Sequence, residues 1–104
     1  MKIFISQPMA GRTEAEILGE RHYVTKKLKN CYGEDIEILH SYSDGPEPVL
    51  YKLGTAIQVM AYADAVYFLP GWGDSRGCRI EYECAQAYDL DCYEIFYRED
   101  EYED

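Results

Sequence analysis

Positive charge is scarce in this sequence: ten Lys and Arg stand against twenty Asp and Glu in 104 residues, a formal net charge of −10. Phosphate backbones are held by clustered Lys and Arg, and with no basic stripe a nucleic-acid polymer is not expected as a partner. Metal-ligand spacing is missing too. The two His and the four Cys (Cys31, Cys78, Cys84 and Cys92) make no CxxC pair or other zinc pattern, so no metal is expected. The cysteines read as buried free thiols in a reduced, cytoplasmic setting. No apolar run is long enough to cross a membrane, and residues 2–5 read as a strand rather than a targeting segment, so no membrane association is expected. There are no repeats and no linker. Neither the Walker nor the Rossmann glycine pattern occurs, and no cofactor is expected.

What is present suffices for one domain and not for two. Hydrophobic residues make up 47% and charged residues 29%, a globular rather than a disordered composition. Five of the six residues in 99–104 are acidic, which reads as a solvated tail following a domain of residues 1–98. A domain this small buries proportionally little surface, and eleven Tyr offer interface anchors, so a homo-oligomer is expected.

Strands and helices alternate along the chain. Residues 2–6 form a β-branched and aromatic run ended by Gln7-Pro8, a first strand. Thr13-x-x-Glu16 is a capping box and predicts a helix start; Ile17, Val24, Leu28 and Cys31 fall near one face of that helix, and Gly33 stops it. Residues 36–39 make a second strand, and Asp44-Gly45-Pro46 a turn. A second helix places Leu50, Leu53, Ile57 and Met60 at inward spacing. Residues 65–69 are almost wholly apolar, as suits a central parallel strand buried on both faces. A third helix begins near Cys78 with Ile80, Cys84, Ala87 and Tyr88 inward, and residues 91–97 supply a fourth strand. This β-α-β-α-β-α-β order predicts a three-layer α/β fold, Rossmann-like or flavodoxin-like, with a four-stranded parallel sheet in order 2-1-3-4. The ligand crevice is then expected between the carboxyl ends of strands 1 and 3.

Two loops meet there. The first, Ser6-Gln7-Pro8-Met9-Ala10-Gly11-Arg12, runs into the capped helix. Gly11 permits a tight turn, and free N–H groups with the Arg12 guanidinium suit a phosphate or a sugar hydroxyl. The second carries Gly71, Trp72 and Gly73, where backbone can approach a ligand and a ring can stack on it, followed by Asp74, Arg76, Arg79, Glu81 and Glu83. Glu81 sits early in its helix, where the positive end of the dipole favours an ionised carboxylate able to attack an anomeric carbon. Asp74 fits a sugar- or base-orienting carboxylate. The residues alone also fit blander roles: a strand-to-helix turn for the first loop, a core or interface place for Trp72, an ordinary turn for Asp74, a solvated helix face for the acids.

The opening MKIFISQPMAGRT, the segment ADAVYFLPGW and the helix GCRIEYECAQAY resemble the small nucleoside 2-deoxyribosyltransferase-like proteins, many of them phage- or prophage-encoded. The resemblance covers the chain to about Tyr97. It implies a Rossmann-like fold assembled into dimers or larger, and cleavage of the N-glycosidic bond of a deoxynucleoside, or of a nucleoside monophosphate, by a Glu that attacks C1′. The family's nucleophile lies four residues before an Ala. Glu81 and Ala85 match, as do Glu83 and Ala87, and Glu81 is preferred for its closeness to Gly77. The transferases' further Asp would fall at Ala56, and residues 49–63 hold no acid. The expected function is therefore N-glycosidic transfer or hydrolysis on a nucleoside or nucleotide, with catalytic Glu81 and Asp74 and with Ser6, Gln7, Met9, Gly11, Arg12, Gly71, Trp72, Arg76 and Arg79 around the substrate. The alternative is a protein that binds such a molecule without turning it over. A third reading, an interaction module acting through its acidic tail, is disfavoured by Arg12, Arg76 and Arg79 near one crevice.

Overall fold

The computed structural model describes residues 1–98; the acidic run 99–104 lies outside the described residues. The elements are β1 (Lys2–Ser6), α1 (Glu14–Tyr32), β2 (Glu37–Ile38), α2 (Val49–Met60), β3 (Ala65–Phe68), a single 3-10 turn (Trp72–Asp74), α3 (Arg76–Ala87) and β4 (Asp91–Glu94). All strand pairs are parallel and the sheet order is β2-β1-β3-β4, the expected Rossmann-like arrangement.

Strand alternation sorts the core into two layers. Ile3, Ile5, Ala65, Tyr67 and Leu69 pack with Val24 and Leu28 of α1 on one face. Phe4, Val66 and Phe68 pack with Ala56 and Met60 of α2 and Ala85 of α3 on the other. Successive side chains of a strand point to opposite faces, so a strand covered by helices on both sides must be apolar throughout. β3 is buried at every position.

Local signals hold at the helix ends. Thr13 and Glu16 exchange the two capping-box hydrogen bonds, and Gly33 closes α1 at φ 101°. α3 starts two residues before Cys78, because the Ser75 side chain accepts from the Cys78 N–H and caps the helix there. β2 and β4 are shorter than expected, although Leu39 and Ile95 still donate backbone hydrogen bonds to Ile3 and Phe68 of neighbouring strands.

The expected inner faces of the helices need correction. In α2 the buried residues are Ala56 and Met60, whereas Leu50 is exposed together with Val49 and Tyr51. In α3 they are Cys78, Glu81 and Ala85, and Ile80, Ala87 and Tyr88 face outward. Cys31 on α1 is exposed as well. A rotation of about one residue (roughly 100°) about the helix axis is enough to exchange such faces, and in α3 the face that wins carries an acid.

Candidate functional site

Ser6 is the last residue of β1, and its pairing with Phe68 brings the end of β1 beside the end of β3. The two following loops touch. The Leu69 N–H donates to the Ser6 carbonyl at 3.0 Å. Gly71 adopts φ 86°, a left-handed conformation that a glycine tolerates, and a Cβ placed there would lie 3.8 Å from Cγ of Pro8. The crevice expected between strands 1 and 3 is therefore flanked by the two loops that the sequence singled out.

α3 projects Glu81 into this place from the stripe Cys78, Glu81 and Ala85, spaced so that all three share one face. Glu81 is only 7% exposed. The Ser6 hydroxyl donates to its Oε1 at 2.6 Å. Its Oε2 accepts no hydrogen bond among the described residues and is not a fully buried atom. One oxygen is tethered and the other is unbonded.

Burial pushes the Glu81 carboxyl above its ordinary range, against the opposing effects of the Ser6 hydrogen bond and the Arg21 charge. Desolvation outweighs both of these effects that favour the anion. Burial also pushes up the neighbouring Cys78 thiol, which therefore stays neutral beside Glu81.

A second buried acid, Glu20 of α1, stands behind the first loop at 3% exposure. Its Oε1 accepts from Nε2 of Gln7 at 2.8 Å and from Nη1 of Arg12 at 2.6 Å, and its Oε2 accepts from the Tyr97 hydroxyl at 2.6 Å. Gln7 also donates to the Ile17 carbonyl, and its Oε1 accepts from Nη1 of Arg21 at 3.1 Å. Nη2 of Arg21 reaches the Ser41 hydroxyl after β2, also at 3.1 Å. Burial lowers the Arg21 pKa, while Glu81 and Glu20 act in the opposite sense.

The structure thus places these residues in two hydrogen-bonded sets, Ser6 with Glu81, and Gln7 and Arg12 with Glu20. Arg12 has its charge met by Glu20 and also donates to the Pro8 carbonyl. Gly11 takes φ 75° in a turn where the Arg12 N–H donates to the Met9 carbonyl. Trp72 is half-buried and packs on Phe68 and Tyr82, with centroids 4.9 and 5.0 Å away. Asp74, Arg76 and Arg79 are exposed, and Arg79 donates to the Gly73 carbonyl at 3.0 Å, bracing the 3-10 turn. Glu83 is exposed. Among the described residues no group of three or more His, Cys, Asp or Glu is placed to hold a metal ion, and no helix is long and apolar enough to cross a membrane.

Sequence reasoning missed Glu20, Arg21 and Ser41. A signal was present: the α1 stripe Ile17, Val24, Leu28 skips one turn, and Glu20-Arg21 fills the gap. A charged pair interrupting an apolar stripe at its own period is a buried-network signal.

A family model described as a domain of unknown function (DUF4406) matches residues 1–93, and the chain belongs to that family. No curated protein matches the chain.

Proposed function

We propose that this family member cleaves the N-glycosidic bond of a nucleoside or nucleoside monophosphate, with Glu81 as the nucleophile. The observation that carries the reading is the half-tethered carboxylate: Oε1 is held by Ser6, and Oε2 accepts no hydrogen bond among the described residues. Attack of Oε2 on C1′ forms a glycosyl ester as the C1′–N bond breaks. The base leaves with the bonding pair and takes up a proton. Water then frees the sugar in hydrolysis, or a second base displaces it in transfer, as carboxylate nucleophiles do in retaining glycosidases. In this reading the first loop and Gly71–Trp72 flank the substrate, Arg76 and Arg79 stand at its rim, and Asp74 supplies an exposed second carboxylate. The likeness of the two loops and of α3 to nucleoside 2-deoxyribosyltransferase-like proteins supports the same chemistry.

Binding without turnover is the second reading, and one observation favours it. Ala56, where those transferases carry a further Asp, is buried against the apolar layer of Phe4 and Phe68. An orienting carboxylate has no place there. The proposal extends to self-association, for which the exposed Val49, Leu50, Tyr51 and Tyr62 are suitable anchors. Sedimentation as a monomer at micromolar concentration removes that part.

The deciding experiment incubates the protein with a panel of nucleosides and monophosphates and follows binding, free base and intact mass. Base release with a glycosyl adduct mapped to Glu81 is the expected result. Saturable binding with no base released establishes the second reading instead.

A further inference from the structure

We propose that Ser6 is the positioning residue of the nucleophile: its hydroxyl holds Oε1 of Glu81 and takes no part in binding the substrate. The inference deepens the proposed function and rests on that reading for its catalytic meaning.

β1 fixes Ser6 first. Its backbone pairs with Phe68 of β3, and its carbonyl accepts from the Leu69 N–H at 3.0 Å. Successive residues of a strand point to opposite faces, so Ser6 shares a face with Phe4, which packs in the layer that holds Ala85 of α3. Gln7 turns the other way and is bonded to the Ile17 carbonyl and Glu20 of α1. The strand therefore delivers the hydroxyl to α3, where Glu81 shares a stripe with Cys78 and Ala85. The bond from Oγ to Oε1 is 2.6 Å long and joins two buried side chains from separate elements.

A count of donors excludes the substrate-binding role that the loop's sequence suggests for this residue. A serine hydroxyl carries one proton. Here that proton goes to Glu81, and Ser6 is 1% exposed, so it presents almost no surface to a ligand.

The carboxylate in turn depends on Ser6. Among the described residues Glu81 has no other hydrogen-bond donor. Arg21 of α1 contributes only its charge, and the Cys78 thiol on α3 is held neutral by burial. The terminal torsion of a Glu is soft, so the Ser6 bond decides which oxygen is left to react. The same bond fits both stages of the reaction. The hydroxyl donates to Oε1 while Oε2 attacks C1′ and the C1′–N bond breaks. In the ester that results, Oε1 is the carbonyl oxygen and still accepts from Ser6. When water or a second base displaces the sugar, the electron pair of the C1′–Oε2 bond returns to the carboxylate, and the placed donor meets the returning charge.

The test compares Ser6→Ala and Ser6→Thr by carbon-13 NMR titration of the glutamate carboxyls, with the Glu81 signal assigned by its loss in Glu81→Gln. Ser6→Ala removes a donor to the anion and is expected to raise the Glu81 midpoint by about one unit. Ser6→Thr keeps the hydroxyl and should hold the midpoint near wild type. An unmoved midpoint in folded Ser6→Ala overturns the proposal. Should that variant not fold, Ser6→Cys, a weaker donor of nearly the same size, should show a smaller rise, and no rise overturns the proposal. Where base release from 2′-deoxynucleosides is measurable, Ser6→Ala should lower kcat on the order of 10²-fold, the scale of losing one placed donor, with KM near wild type. A raised KM at unchanged kcat would put Ser6 on the substrate and overturn the proposal as well. A wild-type protein that releases no base sinks the nucleophile reading, while the titration still decides whether Ser6 holds the carboxylate.

Discussion

Glu20 and Glu81 are both acids on the core-facing sides of helices, 3% and 7% exposed, and they are bonded in opposite ways. Glu20 has both oxygens engaged, by Gln7, Arg12 and Tyr97, in a mesh that ties the first loop and the segment after β4 to α1. Glu81 has one hydrogen bond on one oxygen. A carboxylate whose acceptor sites are filled is a fastener, and its lone pairs are committed. A buried carboxylate with a vacant oxygen bears a desolvation cost that hydrogen bonding does not offset, and such sites gather where chemistry occurs. In the proposed reading, burial alone does not distinguish the nucleophile from the fastener; burial together with an unbonded oxygen does.

The largest expected effect tests the reactive side of this contrast. Glu81→Gln should lower base release on the order of 10⁴-fold, the scale of removing a catalytic nucleophile, with the fold intact by circular dichroism. Retained activity would make the two acids functionally alike.

Next is the structural side. Glu20→Ala should destabilise the protein by about 3 kcal/mol in urea unfolding, because it removes the buried acceptor that Gln7, Arg12 and Tyr97 share. Residual activity should follow the folded fraction. A loss below about 1 kcal/mol would show that the mesh fastens nothing.

A smaller effect separates the two acids by pH. The folded-state pKa of Glu81 is raised, so the folded protein holds that proton more tightly than the unfolded chain. Stability from this group is then full below the ordinary carboxylate range and falls as pH rises through the raised value. Glu81→Gln removes that loss and can still accept from Ser6. It should be more stable than wild type at pH 7, with the difference in urea unfolding vanishing at acidic pH. The smallest effect belongs to the exposed Glu83: Glu83→Gln should change stability by less than about 0.5 kcal/mol and leave base release near wild type.

The sheet was legible because β3 is apolar at every position and because the Thr13 capping box and Gly33 bracket α1. Periodicity placed those elements, and the parallel alternation ordered them. The same periodicity misjudged the rotation of α2 and α3. Leu50 and Tyr88 are the more apolar choices for a core face, but small Ala56 and Ala85 are what fit against the large Phe4 and Phe68. Glu81 was a recognisable candidate from its place after Gly77. Its environment was not, since the Ser6 partner is 75 residues away in the sequence.

Those long separations govern when the pocket can exist. The Ser6–Glu81 bond spans 75 residues and the Glu20–Tyr97 bond spans 77. Local contacts such as the Thr13 capping box form on the submicrosecond scale of helix growth, whereas pairings across such loops wait for the chain to bring its ends together. Helix α1 can therefore form early with Glu20 matched by Arg12 only eight residues away, whereas the Ser6–Glu81 bond closes only when β3 and α3 dock against β1. A mutation that slows this docking will lengthen the life of an intermediate with an unfinished core, so aggregation during refolding will report on the docking before equilibrium stability does.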